Sequence, residues 1–262
     1  MPVHSGYTNS LKPDMATIDI NCDMGEDTGN DEAIMPFISS ANIACGYHAG
    51  DEKTMWQTIE VAKKYNVSIG AHPSFFDKEN FGRREINLSP EDIYELVTQQ
   101  LLLFNEIAMS ADARMYHVKP HGALYNISAK DASIAKAIAR AVKDFDQHLL
   151  LYGLSGSYSI SEAKTIGLKT ASEVFADRTY SDDGKLTPRS QSNALIEVAD
   201  KAISQVLQMI KQRTVTSISG KTIPITAETI CIHGDGKYAV ELATKIHDAL
   251  EKENIMIQPL GS

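Results

Sequence analysis

No run of basic residues occurs anywhere in this 262-residue sequence, and 34 Asp and Glu outnumber 25 Lys and Arg for a net charge of −9. Such a chain lacks the positive track that follows a phosphate backbone, so nucleic acid is not expected as a partner. Apolar stretches fall well short of the roughly 20 residues needed to span a bilayer, and no membrane anchor is expected. The first 16 residues, MPVHSGYTNSLKPDMA, carry neither a basic n-region nor an apolar h-region, and they read as a leader outside the fold. Cysteine is scarce. Cys22, Cys45 and Cys231 are odd in number, widely separated and free of any Cys-x-x-Cys pair. That argues for thiols in a reducing compartment, with the cytoplasm the simplest address. Neither G-x-x-x-x-G-K-S/T nor G-x-G-x-x-G is present, so a nucleotide would have to bind without a P-loop or a Rossmann fingerprint.

What is present is an ordinary globular composition, 43% apolar and 23% charged, in which short β-rich runs alternate with amphipathic segments. The runs are TIDINC from Thr17, ANIAC near Ala41, VSIGAH from Val67 and MYHVK from Met115. LLLYGL from Leu149, KTASEVF from Lys169, ETICIH from Glu228 and NIMIQP from Asn254 complete the series of seven or eight. The clearest helix opens with Ser89 as N-cap, Pro90 at its first position and Glu91 and Asp92 in the first turn. Ile93, Leu96, Val97, Leu101, Phe104 and Ile107 form its apolar stripe. Further helices are expected over about Asp51 to Tyr65, through Ile134 to Phe145, over Asn193 to Gln212 and over Tyr238 to Leu250. Thr214 to Thr226 reads as a hairpin turning at Ser219 and Gly220.

Strand–helix alternation of this kind demands parallel strands and an α/β architecture with both sheet faces covered. Periodicity alone does not separate a closed barrel from an open sheet. Polar residues, however, follow nearly every strand, and only in a barrel do all strand ends converge on one mouth. The expected fold is therefore a TIM-like (β/α) barrel, a single domain over residues 17–262.

The strand ends supply the candidate site. They carry Asn21, Asp23 and Glu26; Asn42, His48 and Asp51; His72; His117, Lys119 and His121; Glu173, Asp177 and Arg178; and His233 and Asp235. Five of the eight histidines fall in these clusters. Alternation places Asp19, Asn21 and Asp23 on one side of their strand, and His117 and Lys119 on one side of theirs. A buried Lys119 needs a partner. It serves either as a charge for a phosphate or oxyanion, or as a structural cation paired with Asp23 or Glu173. Asp51 suits an N-cap. His48, on a glycine-rich turn, suits a ligand or acid–base role, whereas His72 is equally readable as a satisfied core histidine. Asp23 and Glu26 are readable as a solvated loop pair, or as a general base and a holder of Mg²⁺. Phe81 to Glu85 and Phe175 to Arg189 are long loops able to lie over the mouth. Gly234 and Gly236 precede a helix whose N-terminus can receive an anion.

Together, DINCDMGE, ANIACGYHAGD, GAHPSFFD, FGRR, HVKPHGALYN, EVFADRTY and ICIHGD resemble the LamB/YcsF family, in family order from about Thr17 to the last strand. The residues before Met15 lie outside that pattern, and SFFD after GAHP departs from the family's small residue, aromatic, proline run. The resemblance implies a seven-stranded barrel related to glycoside hydrolase/deacetylase folds. It further implies the A subunit of an ATP-dependent 5-oxoprolinase, which acts with subunits B and C and opens the lactam 5-oxoproline to glutamate through a phosphorylated lactam. On that footing Lys119 and Arg178 meet the phosphates, and His48 and His121 serve the lactam carbonyl or proton transfer. Asp23 or Asp177 supplies the base or metal contact. Asn21, Glu26, Asn42, His72, His117, Glu173, His233 and Asp235 then bind substrate or nucleotide. ATP is a cosubstrate carrying Mg²⁺, and replacing Lys119 by Met is expected to abolish turnover while the fold survives. Two other readings stand beside this one. One is a stand-alone metal-dependent hydrolase with an ion on Asp23, His48 and His72; the other is a non-catalytic subunit that binds a small acid.

Overall fold

The computed structural model describes residues 16–234, 236 and 238–261. In chain order the first half comprises β1 (Thr17–Met24), α1 (Asp31–Ile34), β2 (Ser40–Ala44), α2 (Glu52–Lys64), β3 (Ser68–His72), α3 (Pro90–Ser110) and β4 (Met115–Val118). The second half runs α4 (Gly122–Lys130), α5 (Ala132–Phe145), β5 (Leu150–Leu154), α6 (Tyr158–Thr165), β6 (Lys169–Phe175) and α7 (Ala199–Gln212). It ends with β7 (Thr214–Thr216), β8 (Thr222–Pro224), β9 (Thr229–Ile232), α8 (Ala239–Lys252) and β10 (Met256–Ile257).

Seven parallel strands, β1 to β6 and then β9, pair in that order, and β9 returns to β1 with Asp19 opposite Thr229 and Cys22 opposite Ile232. That pairing closes the sheet into the expected barrel. β10 pairs with β1 only at Thr17 and Ile18, below the stretch that β9 occupies, and so adds a short outer edge rather than an eighth stave. The β7–β8 pair is the expected antiparallel hairpin.

Helix ends follow local chemistry where the signals were strong. The Ser89 hydroxyl accepts from the Asp92 amide in a capping box with Pro90 at the first helical position, and Asp51 caps α2 by accepting from the Thr54 amide. The segment from Asn193 departs from expectation, because α7 begins only at Ala199. The Ile196 amide donates to the Asp177 carbonyl and Leu195 bridges Arg178, so this backbone is committed to the loop after β6 before any helical turn forms. Helices α4 and α6, which periodicity did not reveal, are short, and their N-caps, His121 and Ser157, make no side-chain capping bond.

Outside the staves the apolar faces are sealed by helices; Ile18, Ile20 and Cys22 of β1 are all buried. Inside, the floor is polar. Asp19 accepts from Ser39 (2.6 Å), Ser40 (2.7 Å) and the Tyr152 hydroxyl (3.0 Å), and also from Thr229. Above it the His117 ring stacks on Tyr152 at 4.3 Å between centroids.

Gly70 shows how tightly this interior is filled. A Cβ there would sit 2.3 Å from ring atoms of His117, far inside van der Waals contact. Gly70→Ala is therefore expected to cost about 1–3 kcal/mol through overpacking, read as a lowered midpoint in urea unfolding; an unchanged midpoint would show that the His117 ring has room to move.

Candidate active site

At the C-terminal ends of the staves lies a cavity of about 960 Å³, with Asp23, Glu26, His72, Lys119, His121, Phe175 and His233 among its lining residues. They come from several different strand ends, which is how a barrel gathers distant residues at one mouth.

Lys119 sits at the floor, 3% exposed. Its ammonium lies 2.9 Å from Asp23 Oδ1, 2.8 Å from Glu173 Oε1, 3.2 Å from Asn21 Oδ1 and 3.2 Å from the Cys231 sulfur. Burial alone would drive its pKa down, but the Asp23 and Glu173 carboxylates outweigh it and hold the lysine well above its ordinary value. Burial would likewise raise Asp23, yet His72 and Lys119 keep its carboxyl well below the usual range. Cys231 is a neutral thiol, pushed far up by its burial. Thus Lys119 pairs with both acids that the sequence offered as alternatives.

Beside this ion triad stand three imidazoles and a carboxylate. His48 Nε2 is 3.0 Å from Glu26 Oε1, and the His48 ring stacks on His121 at 3.7 Å. His121 Nδ1 lies 3.0 Å from His72 Nε2 and 3.2 Å from Glu26 Oε1, while His72 Nε2 is 3.4 Å from Asp23 Oδ2. Burial lowers His48 to about 4 and also lowers His121. Burial would lower His72 too, but the Asp23 charge reverses that and raises it. Burial would raise the Glu26 carboxyl; the neighbouring His121 and His48 instead bring it to about 2. Glu26, His48, His72 and His121 place four potential ligand atoms within 4.8 Å of one another, while Asp23 groups separately with Cys231 and His233.

The opposite wall is built by the loop between β6 and α7. Asp177 accepts from His233 Nδ1 at 2.8 and 2.9 Å, and His233 Nε2 in turn accepts from Arg189 at 3.0 Å. Arg178 lines the cavity, but its guanidinium braces the loop by donating to the Thr187 carbonyl (2.7 Å) and the Ala194 carbonyl (3.3 Å). The β7–β8 hairpin clasps the same loop, with Ser217 and Ser219 donating to Asp182 and Lys221 pairing with it. Across the mouth, Arg83 and Glu85 reach the rim from the FGRR loop. Gly82 permits that approach, since its φ is +61° and a Cβ would meet Ser74 Oγ at 2.2 Å and His48 Cβ at 2.9 Å.

Of the residues expected at the site, Asp23, Glu26, His72, Lys119, His121, Arg178 and His233 face the cavity, and Glu173, His48 and Asp177 stand directly behind them. Asn21, Asn42 and His117 form a layer below. Asn42 donates to Asn21 and Asp23, and its carbonyl accepts from His117 Nε2, which fixes the lone pair on Nδ1. Asp51 serves its helix as a cap, and Asp235 lies outside the described residues. Sequence reasoning did not single out Cys231, Arg189, Arg83 or Tyr125 for the site. Alternation along ETICIH, which sets Cys231 on the side of His233, was the available signal for the first.

Two measurements follow from this electrostatics. Removing the ammonium strands two buried carboxylates, so Lys119→Met is expected to lose about 3–5 kcal/mol of stability, contrary to the expectation that only turnover would suffer. Adding Glu173→Gln should return part of it, and a Lys119→Met melt matching wild type would refute the pairing. Burial and the Lys119 charge lower His117 to about 3. The unfolded chain takes up a proton near pH 6.5 and the folded one does not, so this contribution is complete above about pH 6.5 and is lost as pH falls toward 3. His117→Gln should flatten the loss of stability between pH 6.5 and 5, measured by denaturant melts; an identical slope would count against a neutral, buried His117.

Comparison with known proteins agrees with this architecture. The A subunit of 5-oxoprolinase from Staphylococcus carnosus is 51% identical over 249 residues, covering 93% of this chain and 99% of that protein. The crystal structure of a lactam utilization protein from Thermus thermophilus superposes with a TM-score of 0.87 at 37% identity, over 92% of this chain and 99% of the other. A family 4 carbohydrate esterase from Streptomyces lividans, solved with acetate, shares the fold alone, with a TM-score of 0.53 at 8% identity over 94% and 93% of the two chains. The LamB/YcsF family model matches residues 18–262, nearly the whole length, and the chain belongs to that family.

Proposed function

We propose that this chain is the A subunit of an ATP-dependent 5-oxoprolinase, opening 5-oxo-L-proline to L-glutamate as ATP is hydrolysed. What carries the reading is full-length kinship, since a relative that bears the name of the 5-oxoprolinase A subunit is 51% identical across 93% of this chain. The name of the Thermus thermophilus neighbour, a lactam utilization protein, supports the same substrate class. The relative's name also supports a multi-chain assembly, in which subunits B and C are the partners. Three free, buried cysteines and an ATP requirement suit the cytoplasm; among the described residues no helix is long and apolar enough to cross a membrane.

The chemistry asks for what the mouth contains. A five-membered lactam is a stable amide, and its carbonyl oxygen becomes a leaving group once it carries the γ-phosphoryl of ATP, with ADP released. Water then adds at the ring carbon, the C–N bond breaks with the proton passing to nitrogen, and a second water releases phosphate from the resulting acyl phosphate. Phosphoryl transfer rests on positioning and charge neutralisation. The Lys119 ammonium at the floor is already met by Asp23 and Glu173, so Arg83, Lys130, Lys185 and Arg189, which lie around the cavity, supply the positive charge for the phosphates. Arg178 takes part by bracing the loop that carries Arg189. Mg²⁺ would travel with the nucleotide, with Asp23 its protein contact. Asp23, held ionised between Lys119 and His72 and therefore a weak base, is suited to orient water by accepting its hydrogen bond, and His121 lines the cavity beside it with His48 stacked behind.

The deciding experiment mixes the purified full chain with subunits B and C, 5-oxoproline and ATP, and follows glutamate and ADP together. Equal amounts of both are expected, with Asp23→Asn lowering turnover by about 10²-fold. Glutamate formed without ATP would replace this reading by a stand-alone hydrolase, and tight 5-oxoproline binding without any product in the full assembly would leave a non-catalytic subunit.

A further inference from the structure

Four side chains beside the Lys119 triad gather their ligand atoms into one buried group, within 4.8 Å of one another. Glu26, His48, His72 and His121 follow four different staves, and each is less than a tenth exposed. Four of the six distances among their inward atoms are 3.0, 3.0, 3.2 and 3.7 Å, around the edge of about 3.3 Å that a tetrahedron with 2.0–2.1 Å bonds requires, and all six lie within 4.8 Å.

The outer hydrogen bonds decide which ring nitrogens carry protons. His72 Nδ1 lies 2.6 Å from the Lys119 carbonyl, and His121 Nε2 lies 2.9 Å from the Phe81 carbonyl. A carbonyl only accepts, so both of those nitrogens bear hydrogen, and in the neutral rings His72 Nε2 and His121 Nδ1 present lone pairs. These lone pairs face each other at 3.0 Å, and both face a carboxylate oxygen. In the ion-free protein a proton on His72 Nε2 can bridge to His121 Nδ1 while His48 Nε2 meets Glu26; a divalent ion would take the place of these protons and answer all four atoms together. The outer carbonyls are the partners that orient metal-ligating imidazoles. One is held with backbone strain: Phe81 adopts φ +54°, in the left-handed region unfavourable to an aromatic residue, while its carbonyl receives His121.

We infer that Glu26, His48, His72 and His121 form a binding site for one divalent transition ion of the zinc class. Three imidazole nitrogens and one carboxylate oxygen suit Zn²⁺ or Co²⁺, whereas Mg²⁺ prefers an octahedron of oxygens. Asp23 stays with Lys119 and Asn42 and is not a ligand. His48 Nδ1 has no hydrogen-bond partner among the described residues, so His48 is the least firmly oriented of the three rings, and it is the one that must turn out of its stack on His121 for its in-plane lone pair to reach the ion.

The test is ion binding by the full chain, independent of turnover, so its failure is distinct from a failure of the lactam reading. Chelator-treated protein is titrated with Zn²⁺ by calorimetry and with Co²⁺ by visible absorption. One equivalent is expected, with Co²⁺ bands of low coordination number that equimolar Zn²⁺ removes and excess Mg²⁺ does not. His72→Ala and His121→Ala should weaken binding by more than the roughly 10–100-fold that loss of an outer partner costs, and His48→Ala should cost the least of the three. Glu26→Gln keeps the shape of the site and serves if a histidine variant fails to fold. His247→Ala probes the more exposed trio His247, Asp248 and Glu251 and should change nothing. Absence of saturable binding in wild type overturns the assignment, as does binding lost in His247→Ala but kept in His72→Ala and Glu26→Gln.

Discussion

Burying one ammonium governs the rest of this molecule. Taking the Lys119 charge out of water costs several kcal/mol unless opposite charge meets it at close range. Asp23 at the end of β1 and Glu173 on β6 do so, at 2.9 and 2.8 Å. Those strands are not neighbours of β4, which carries the lysine into the mouth, so the three groups meet only because the sheet curls until β9 pairs with β1. Closure and charge pairing therefore depend on each other. The barrel makes the ion triad possible, and the triad ties three walls of the barrel together across its interior.

The consequences spread outward from that point. Asp23 is kept ionised by His72 and Lys119, and its charge in turn raises His72. Glu26 is brought low by the imidazoles it touches. Beneath, Asn42 links Asp23 and Asn21 to His117 by hydrogen bonds, and the network ends in the polar floor around Asp19. Every inward polar atom in such a column needs a partner, because the low-dielectric interior penalises any that lacks one.

Around the mouth the two halves differ in character. On one side imidazoles and a carboxylate are pressed together by the FGRR loop, whose Gly82 packs against His48 and His121 and whose Phe81 carbonyl fixes a ring nitrogen. On the other, a loop rich in charge is held by Arg178 from within and by the β7–β8 hairpin from outside. A small cyclic acid beside the first wall and phosphates against the second would be the natural division of the cavity under the proposed activity.

Much of this was readable from the chain. Alternation along TIDINCD set Asp19, Asn21 and Asp23 on the inner face, and MYHVK set His117 beneath Lys119; Ser89-Pro90 and Asp51 marked helix starts. These are local properties, carried by neighbouring residues through backbone geometry and capping. Partners far along the chain were decided by tertiary structure. Closure rests on β1 meeting β9, which lies near the other end of the chain, and Lys119 binding both acids rather than one follows from that closure. The late start of α7 was decided by the backbone bond from Ile196 to Asp177. Which nitrogen of each imidazole turns inward depends on carbonyls of Lys119 and Phe81, supplied by other units of the barrel. Periodicity tells which side of a strand a residue faces; only the folded chain determines what it meets there.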